Sequence, residues 1–276
     1  MNIDFSDLAP DTAARIETLS QVPLVKYVNE TVWIFAIVET AHLLFLTILG
    51  GAVLALNLRL LGIVLRDVPP RDVERATRPW LIGGVVGTIF TGVAMGLTTA
   101  STLLPSAAFF VKMVALVAAI LFSIAVGREV RRSDESTAPA AGRVLALVAL
   151  LLWAAALALF ATTRGLSSGA VLVTLAGFAL LAAFAVRHRR AYLIGLAAIL
   201  GGGYFVTEWI SADGLRGPAW LSLAPLGGAL TLVAVIASLE RRDGARIAPP
   251  PARAAAFAST LAWITVAAAG RWIGFS

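Results

Sequence analysis

The sequence predicts an all-α integral membrane protein with about eight transmembrane helices and with both termini on the outer side. Hydrophobic residues make up 59% of the chain and charged residues 14%, and the mean hydropathy is +0.88. A soluble domain carries about 25% charged and about 45–50% apolar residues. The apolar residues form runs of about 20, long enough to cross a bilayer core of roughly 30 Å. Lipid must therefore replace water around most of the chain.

The apolar runs divide the chain into spans and connections. The predicted spans are 31–65, 79–99, 107–127, 142–162, 169–187, 191–211, 218–239 and 253–275. The corresponding regions are a polar outer segment 1–30, spans one to three in 31–128, a cytoplasmic linker 129–141, spans four to seven in 142–239, a second cytoplasmic linker 240–252, and span eight in 253–276. In this division Pro79 opens the second span. The first run, about 35 residues and about 52 Å as a helix, must tilt, project or break at Gly50-Gly51.

The positions of the basic residues predict the orientation. Most of the 22 Lys and Arg residues lie in the connections 66–78, 128–143, 187–190 and 240–253. The positive-inside rule assigns such connections to the cytoplasm. Both termini then lie outside, which requires an even number of spans. The sequence thus predicts a multi-pass membrane protein whose basic connections lie in the cytoplasm, as expected for a protein of the cytoplasmic (inner) membrane.

The same distribution of charge limits the partners. The basic residues that give the formal charge of +6 lie in the connections between apolar runs, as the positive-inside rule predicts for a membrane protein. The charge therefore does not indicate a surface that binds nucleic acid. The expected partner is the lipid bilayer. Other membrane subunits, or self-association with a second copy, are further partners that the sequence allows.

The residue types present exclude several kinds of chemistry. The chain has no cysteine, so disulfides and thiolate metal sites are excluded, and its two histidines, His42 and His188, cannot form a His-rich centre. His42 is the only candidate metal ligand. The sequence contains no phosphate-binding loop, zinc-protease helix or nucleophile elbow. We assign no catalytic residue and expect a protein that is not an enzyme.

Polar side chains inside the spans predict a ligand- or ion-binding site. Ionisable groups in a bilayer are costly and usually face the bundle interior or a water-filled cavity. The candidates, which lie mostly in or near the outer half of the bilayer, are Glu39, His42, Lys112, Arg271, Glu208 and Asn57. Glu39 and His42 are three residues apart on one helical face, and Asn57 returns to that face about five turns later. Candidate lining groups are Thr91, Thr98, Thr99 and Tyr204.

A structural explanation remains open beside the ligand site. The charges of two acids and two bases balance, so Glu39 with Lys112, and Glu208 with Arg271, would form structural ion pairs. Small residues in the second span have a simpler role, because Gly83-Gly84 with Gly87, and Gly92 with Gly96, have the spacing that allows close helix packing.

Several short blocks resemble a bacterial family of small four-helix membrane proteins of unknown function, DUF6644. The blocks run from Glu39 to His42, from Leu58 to Gly62, from Pro79 to Gly92, from Phe110 to Met113 and from Gly270 to Phe275. The resemblance covers residues 25–132 and 252–276. It implies that spans four to seven are an insertion, and that Glu39, His42, Lys112 and Arg271 belong together.

The resemblance also bears on cofactors. Family members often carry another histidine near the end of the third span, but residues 120–126 contain none. A haem held within the membrane by two histidines of one chain is therefore excluded, and ligation by a single histidine is left unsupported. Three functions stay open. The first is binding or translocation of a small solute, ion or proton, the second is a redox component that binds haem or quinone, and the third is a structural accessory subunit of a membrane complex.

Overall fold

The computed structural model describes residues 21–103, 106–132, 140–162, 188–212 and 250–273, together with Ala14, Thr18 and Leu232. These residues form helices and turns, without a strand among them. The helices are α1 Pro23–Glu30, α2 Val32–Leu60, α3 Pro70–Thr98, α4 Ala100–Leu103, α5 Ala107–Arg132, α6 Ala140–Thr162, α7 Arg189–Ala212 and α8 Pro250–Trp272. The predicted spans 169–187 and 218–239, Leu232 apart, and most of both predicted linkers lie outside the described residues.

Helix α2 is continuous through Gly50-Gly51 and ends five residues earlier than predicted. Gly62 has a φ of 75°, and the N–H of Ile63 donates to the carbonyl of Leu58 at 2.9 Å. This is the Schellman arrangement, in which a left-handed residue satisfies the last carbonyls and stops the helix. The 29 residues of α2 extend about 44 Å, so the helix tilts in the bilayer or projects from it.

Helix α3 begins at Pro70, nine residues before the predicted start at Pro79. Pro69 and Pro70 provide the start, since proline lacks the N–H that the first helical turn leaves unpaired. Pro79 lies inside the helix, where it removes one backbone hydrogen bond. The prediction that Pro79 opens this helix was wrong, because the charged residues 71–78 resemble a loop but continue the helix.

Within the described part of the chain, three helices are long and apolar enough to cross a membrane: Trp33–Leu60, Pro70–Thr98 and Ala107–Arg131. A shorter apolar stretch, Val144–Phe160, lies in α6. These helices indicate a membrane protein. The total of eight spans and the outward orientation of the termini stay predictions.

Helices α2, α3, α5 and α8 pack together, and we call them the four-helix unit. Helix α3 packs along α2, and α8 contacts both α2 and α5. Neighbouring helices alternate in direction, so the start of α2 meets the end of α3, and the start of α5 meets the end of α8. We name the two ends of the unit after residues of α2, the His42 end and the Arg59 end.

The seam between α2 and α3 is made by small residues. Gly84 faces the backbone of Leu49, and Gly87 faces the ring of Phe45. A side chain at either position would overlap these atoms, so the two helices approach closely only because both residues are glycine. The predicted packing role of these two glycines agrees with the structure.

Helix α6 packs on the outside of the unit, against α5 and α8. Its residues Trp153 and Phe160 are buried in a core shared with those two helices. The indole N–H of Trp153 donates to the hydroxyl of Thr265 in α8 at 3.0 Å, and that of Trp263 donates to Ser123 in α5, also at 3.0 Å. Two tryptophans therefore tie α8 to the helices beside it.

Candidate functional site

The candidate site begins with His42, which is buried between α2 and α3. Nδ1 of its imidazole lies 2.7 Å from Oγ1 of Thr91. The seam of small residues continues here: a Cβ at Gly92 would lie 3.3 Å from Cε1 of His42. Because Gly92 has no side chain, the imidazole ring of His42 approaches α3 closely enough to hydrogen-bond with Thr91.

Hydrogen bonds to two threonines of α3 hold the imidazole of His42. The hydroxyl of Thr91 lies 2.7 Å from Nδ1 of the imidazole and also 2.7 Å from the carbonyl oxygen of Gly87. The backbone of Thr88 makes a further hydrogen bond with the imidazole. A hydroxyl has one hydrogen, so Thr91 donates either to the Gly87 carbonyl or to Nδ1, and each choice corresponds to one tautomer of the neutral imidazole. His42 is therefore held against α3 by a side chain and by the backbone.

Lys112 supplies the positive charge of the site. It lies in the first turns of α5, is half-buried, and is close enough to His42 to act on it electrostatically. Gly270 of α8 faces it, since a Cβ there would lie 3.5 Å from Cε and 3.7 Å from Nζ. Within the described part of the chain, no carboxylate lies within salt-bridge distance of Lys112.

Thr88 adds an unsatisfied hydroxyl, and sequence reasoning missed it. It lies one turn before Gly92 on the buried side of α3 and is 6% exposed. A threonine in a helix usually donates to the carbonyl four residues earlier. Oγ1 of Thr88 does not, and it finds no other partner among the described residues. The spacing of Thr88, Thr91 and Gly92, all on the face of α3 that meets His42, was the available signal.

The structure brings only some of the predicted residues together. His42 and Lys112 lie at the same end of the unit, close enough for the ammonium group to act electrostatically on the imidazole. Glu39 and Arg271 lie near that end of their helices, but both side chains are exposed. Asn57 is 2% exposed and lies at the Arg59 end, where its amide donates to Thr260 at 3.1 Å.

Glu208 lies in α7, and its side chain is outside the described residues. So is the side chain of Tyr204. The predicted membership of Glu208 in the site therefore stays a prediction. Thr98 and Thr99 are described, and both hydroxyls donate to the carbonyl of Met95 at the end of α3.

The Arg59 end of the unit is closed by polar contacts within the chain. Nε of Arg59 donates to the carbonyl of Val68 at 2.5 Å, which fastens the α2–α3 connection under the end of α2. Glu74 is buried and forms an ion pair with Arg131 of α5. Gly127 lies directly beside this pair. The two ends therefore differ: Glu74 and Arg131 form an ion pair at the Arg59 end, whereas none of the described carboxylates pairs with Lys112.

Two other features bear on ligands. Among the described residues, no group of three or more His, Asp or Glu side chains could hold a metal ion. Helix α3 also carries a wholly apolar groove on its opposite, exposed face, lined by residues that suit lipid tails: Val86, Ile89, Phe90, Val93, Ala94 and Leu97.

Apolar helices of membrane-spanning length, with polar side chains buried between them, indicate an all-helical membrane protein. The chain belongs to a family of unknown function, DUF6644, whose sequence profile matches residues 20–167. The match is continuous and includes α6, whereas α8 lies outside it, so it differs from the two separate regions predicted. No curated protein and no solved structure matches the chain.

Proposed function

We propose that the protein binds a small polar or charged solute inside the membrane, at the His42 end of the four-helix unit, as a step in its recognition or translocation. The observation that carries this proposal is that buried His42 and half-buried Lys112 lie at the same end of the four-helix unit, close enough to interact electrostatically. Both are basic side chains withdrawn from solvent, and intramembrane groups of this kind usually serve a ligand, an ion or a proton.

The competing structural explanation accounts for less of the geometry. It requires a carboxylate to neutralise Lys112, and Glu39 was the expected partner. Glu39 is exposed, and no ion pair joins it to Lys112 among the described residues. A buried polar group without a partner costs free energy, so each such group calls for an explanation, and a bound ligand, ion or water is one. The hydroxyl of Thr88, beside His42 on α3, is a second unsatisfied position.

The closed Arg59 end supports binding from one side. Arg59 and the Glu74–Arg131 pair close the unit behind the site, so in this conformation a solute enters and leaves at the His42 end. Translocation would require the contacts at the Arg59 end to open. The orientation predicted from the basic connections makes the His42 end the outer one.

The test is a search for stabilising solutes with the protein purified in lipid nanodiscs. We expect a solute from a panel of small anions, cations and neutral polyols to raise the unfolding temperature, because a ligand at 100 times its Kd stabilises by about 2.7 kcal/mol. His42→Gln and Thr91→Val should abolish most of that shift. The matched control is Thr40→Val, since Thr40 is exposed on α2 and its hydroxyl donates only to the carbonyl of Ala36.

Two results would contradict the proposal. One is a panel in which no solute stabilises the wild-type protein. The other is a stabilising solute whose effect is unchanged in His42→Gln and Thr91→Val. Ligand-free unfolding temperatures of all variants identify any variant that fails to fold, and for such a variant the milder substitution Thr91→Ser replaces Thr91→Val.

A further inference from the structure

We infer that the exposed side of α3 binds an anionic phospholipid at the Arg59 end, with Arg75 and Arg78 as the ligands of its phosphate. This lipid site lies on the outside of the four-helix unit and does not rest on the proposed solute site at the His42 end. The orientation predicted from the basic connections makes the lipid one of the cytoplasmic leaflet. The alignment, depth and exposure of the two arginines carry the inference.

The exposed side of α3 carries a stripe that changes from basic to apolar, and we call it the α3 stripe. Its members follow one another at spacings of three or four residues, which keep side chains on one face of a helix. All are exposed, and in chain order they are Arg71, Arg75, Arg78, Ile82, Val86 and Ile89. The arginines share a face with the apolar residues only because α3 begins at Pro70, before the apolar run.

The depth of Arg75 and Arg78 matches the headgroup layer of a bilayer. The apolar run of α3 begins at Pro79, so Arg78 lies about 1.5 Å and Arg75 about 6 Å beyond it along the helix axis. The headgroup region on each side of the apolar core is about 5–7 Å thick. Trp80 is 62% exposed beside this boundary, where tryptophans of membrane proteins concentrate. The two arginines therefore lie at the level of the lipid phosphates.

The charges of Arg75 and Arg78 are available to a phosphate. Arg131, at the same end, pairs instead with buried Glu74. Arg75 and Arg78 are exposed, and none of the described carboxylates, including Asp72 on the same turns, forms an ion pair with either of them. Guanidinium groups bind phosphate oxygens through paired N–H donors, so two of them one turn apart suit a phosphodiester.

The apolar part of the α3 stripe favours a lipid over a soluble acidic partner. Ile82 lies one turn beyond Arg78, and Val86 and Ile89 continue the same face deeper into the apolar run. Acyl chains that extend from a phosphate at the arginines would therefore cover aliphatic side chains only. A soluble acidic protein would contact the arginines but could not reach this part of the stripe.

Native mass spectrometry of the full-length protein tests the inference. The protein in a non-ionic detergent is titrated with phosphatidylglycerol or with phosphatidylcholine of identical acyl chains. We expect the first phosphatidylglycerol to bind about 10-fold more tightly or better, and Arg75→Gln combined with Arg78→Gln to weaken it about 25-fold, at about fivefold for each arginine. Arg75→Lys with Arg78→Lys should keep part of the affinity, because the charge remains but the paired donors are lost.

The matched control is Arg189→Gln with Arg190→Gln, which removes the same charge from exposed positions at the start of α7. Equal affinity of the wild-type protein for the two lipids overturns the inference. So does an equal loss of phosphatidylglycerol in the control and in the Arg75/Arg78 variant, since net charge alone would then explain the binding. A dimer that disappears in the Arg75/Arg78 variant while its lipid binding is unchanged assigns the α3 stripe to a second copy, which also overturns it.

Discussion

Gly84→Ala is expected to weaken the packing of α2 against α3 severely. A Cβ at this position would lie 2.8 Å from Cβ and 2.9 Å from Cα of Leu49. The second of these atoms is backbone, so it cannot move aside unless the helix moves. Overpacking of this kind typically costs about 1–3 kcal/mol, and here it exceeds the helix-propensity gain of about 1 kcal/mol from replacing glycine.

The neighbouring glycine is the matched control. Gly83 is exposed on the same helix, and a Cβ there would meet nothing within 4 Å. Gly83→Ala should therefore keep or slightly raise the unfolding temperature in detergent, while Gly84→Ala lowers it. Equal unfolding temperatures for the two variants would show that the helices do not approach each other at Gly84. Since the seam also positions His42 against Thr91, we expect Gly84→Ala to reduce ligand-induced stabilisation.

Trp153→Ala should have the largest effect on the attachment of α6 to the four-helix unit. The side chain is buried between α5, α6 and α8, and its indole N–H donates to Thr265. Removing a buried tryptophan costs about 3–5 kcal/mol through the cavity it leaves. Trp153→Phe keeps most of the volume and loses only the hydrogen bond, which in membrane proteins contributes about 0.6 kcal/mol.

The control for this prediction is Leu151→Ala, because Leu151 lies in the same helix and is 71% exposed. Its effect on the unfolding temperature should be small. If Trp153→Ala is no more destabilising than Leu151→Ala, then α6 and α8 do not share the core described above. Unfolding by titration with a denaturing detergent provides the comparison for all three variants.

The sequence predicted the helical fold well, but local backbone chemistry moved the helix ends. Apolar runs identify spans because lipid requires them, whatever the neighbouring helices do. The end of α2 depends instead on Gly62, whose left-handed conformation stops the helix before the apolar run ends. The start of α3 depends on Pro70, and the charged turns that follow lie outside the apolar run. Hydropathy alone cannot detect either signal.

The site was predictable in part. Depth along the spans brought His42 and Lys112 to the same end, because antiparallel helices of similar length align their ends. Glu39 was expected beside them, because it lies three residues before His42. Three residues rotate about 60° short of a full helical turn, so the side chain of Glu39 points away from that of His42 and is exposed. Asn57 lies on the buried side of α2, about 22 Å from His42 along the helix axis, and so belongs to the other end.

The partners at the Arg59 end could not be predicted. Glu74 lies in a stretch that the sequence assigns to a connection, where a carboxylate is expected to be solvated. Only the packing of α3 against α5 buries it beside Arg131. Thr88 is a similar case, because a threonine in an apolar helix ordinarily satisfies its hydroxyl within the helix. Tertiary contacts determine the surroundings of both Glu74 and Thr88, and no local sequence pattern predicts those contacts.

The central claim is that Lys112 and His42 bind a ligand and are not neutralised by the protein itself. An experimental structure of the protein in nanodiscs, determined at a resolution that reveals small molecules and with a stabilising solute present, tests it most directly. We expect non-protein density at the His42 end of the four-helix unit, in contact with Nζ of Lys112 and with the imidazole of His42. A direct ion pair between Lys112 and a carboxylate of this chain, such as Glu39 or Glu208, with no ligand density beside it, would contradict the account.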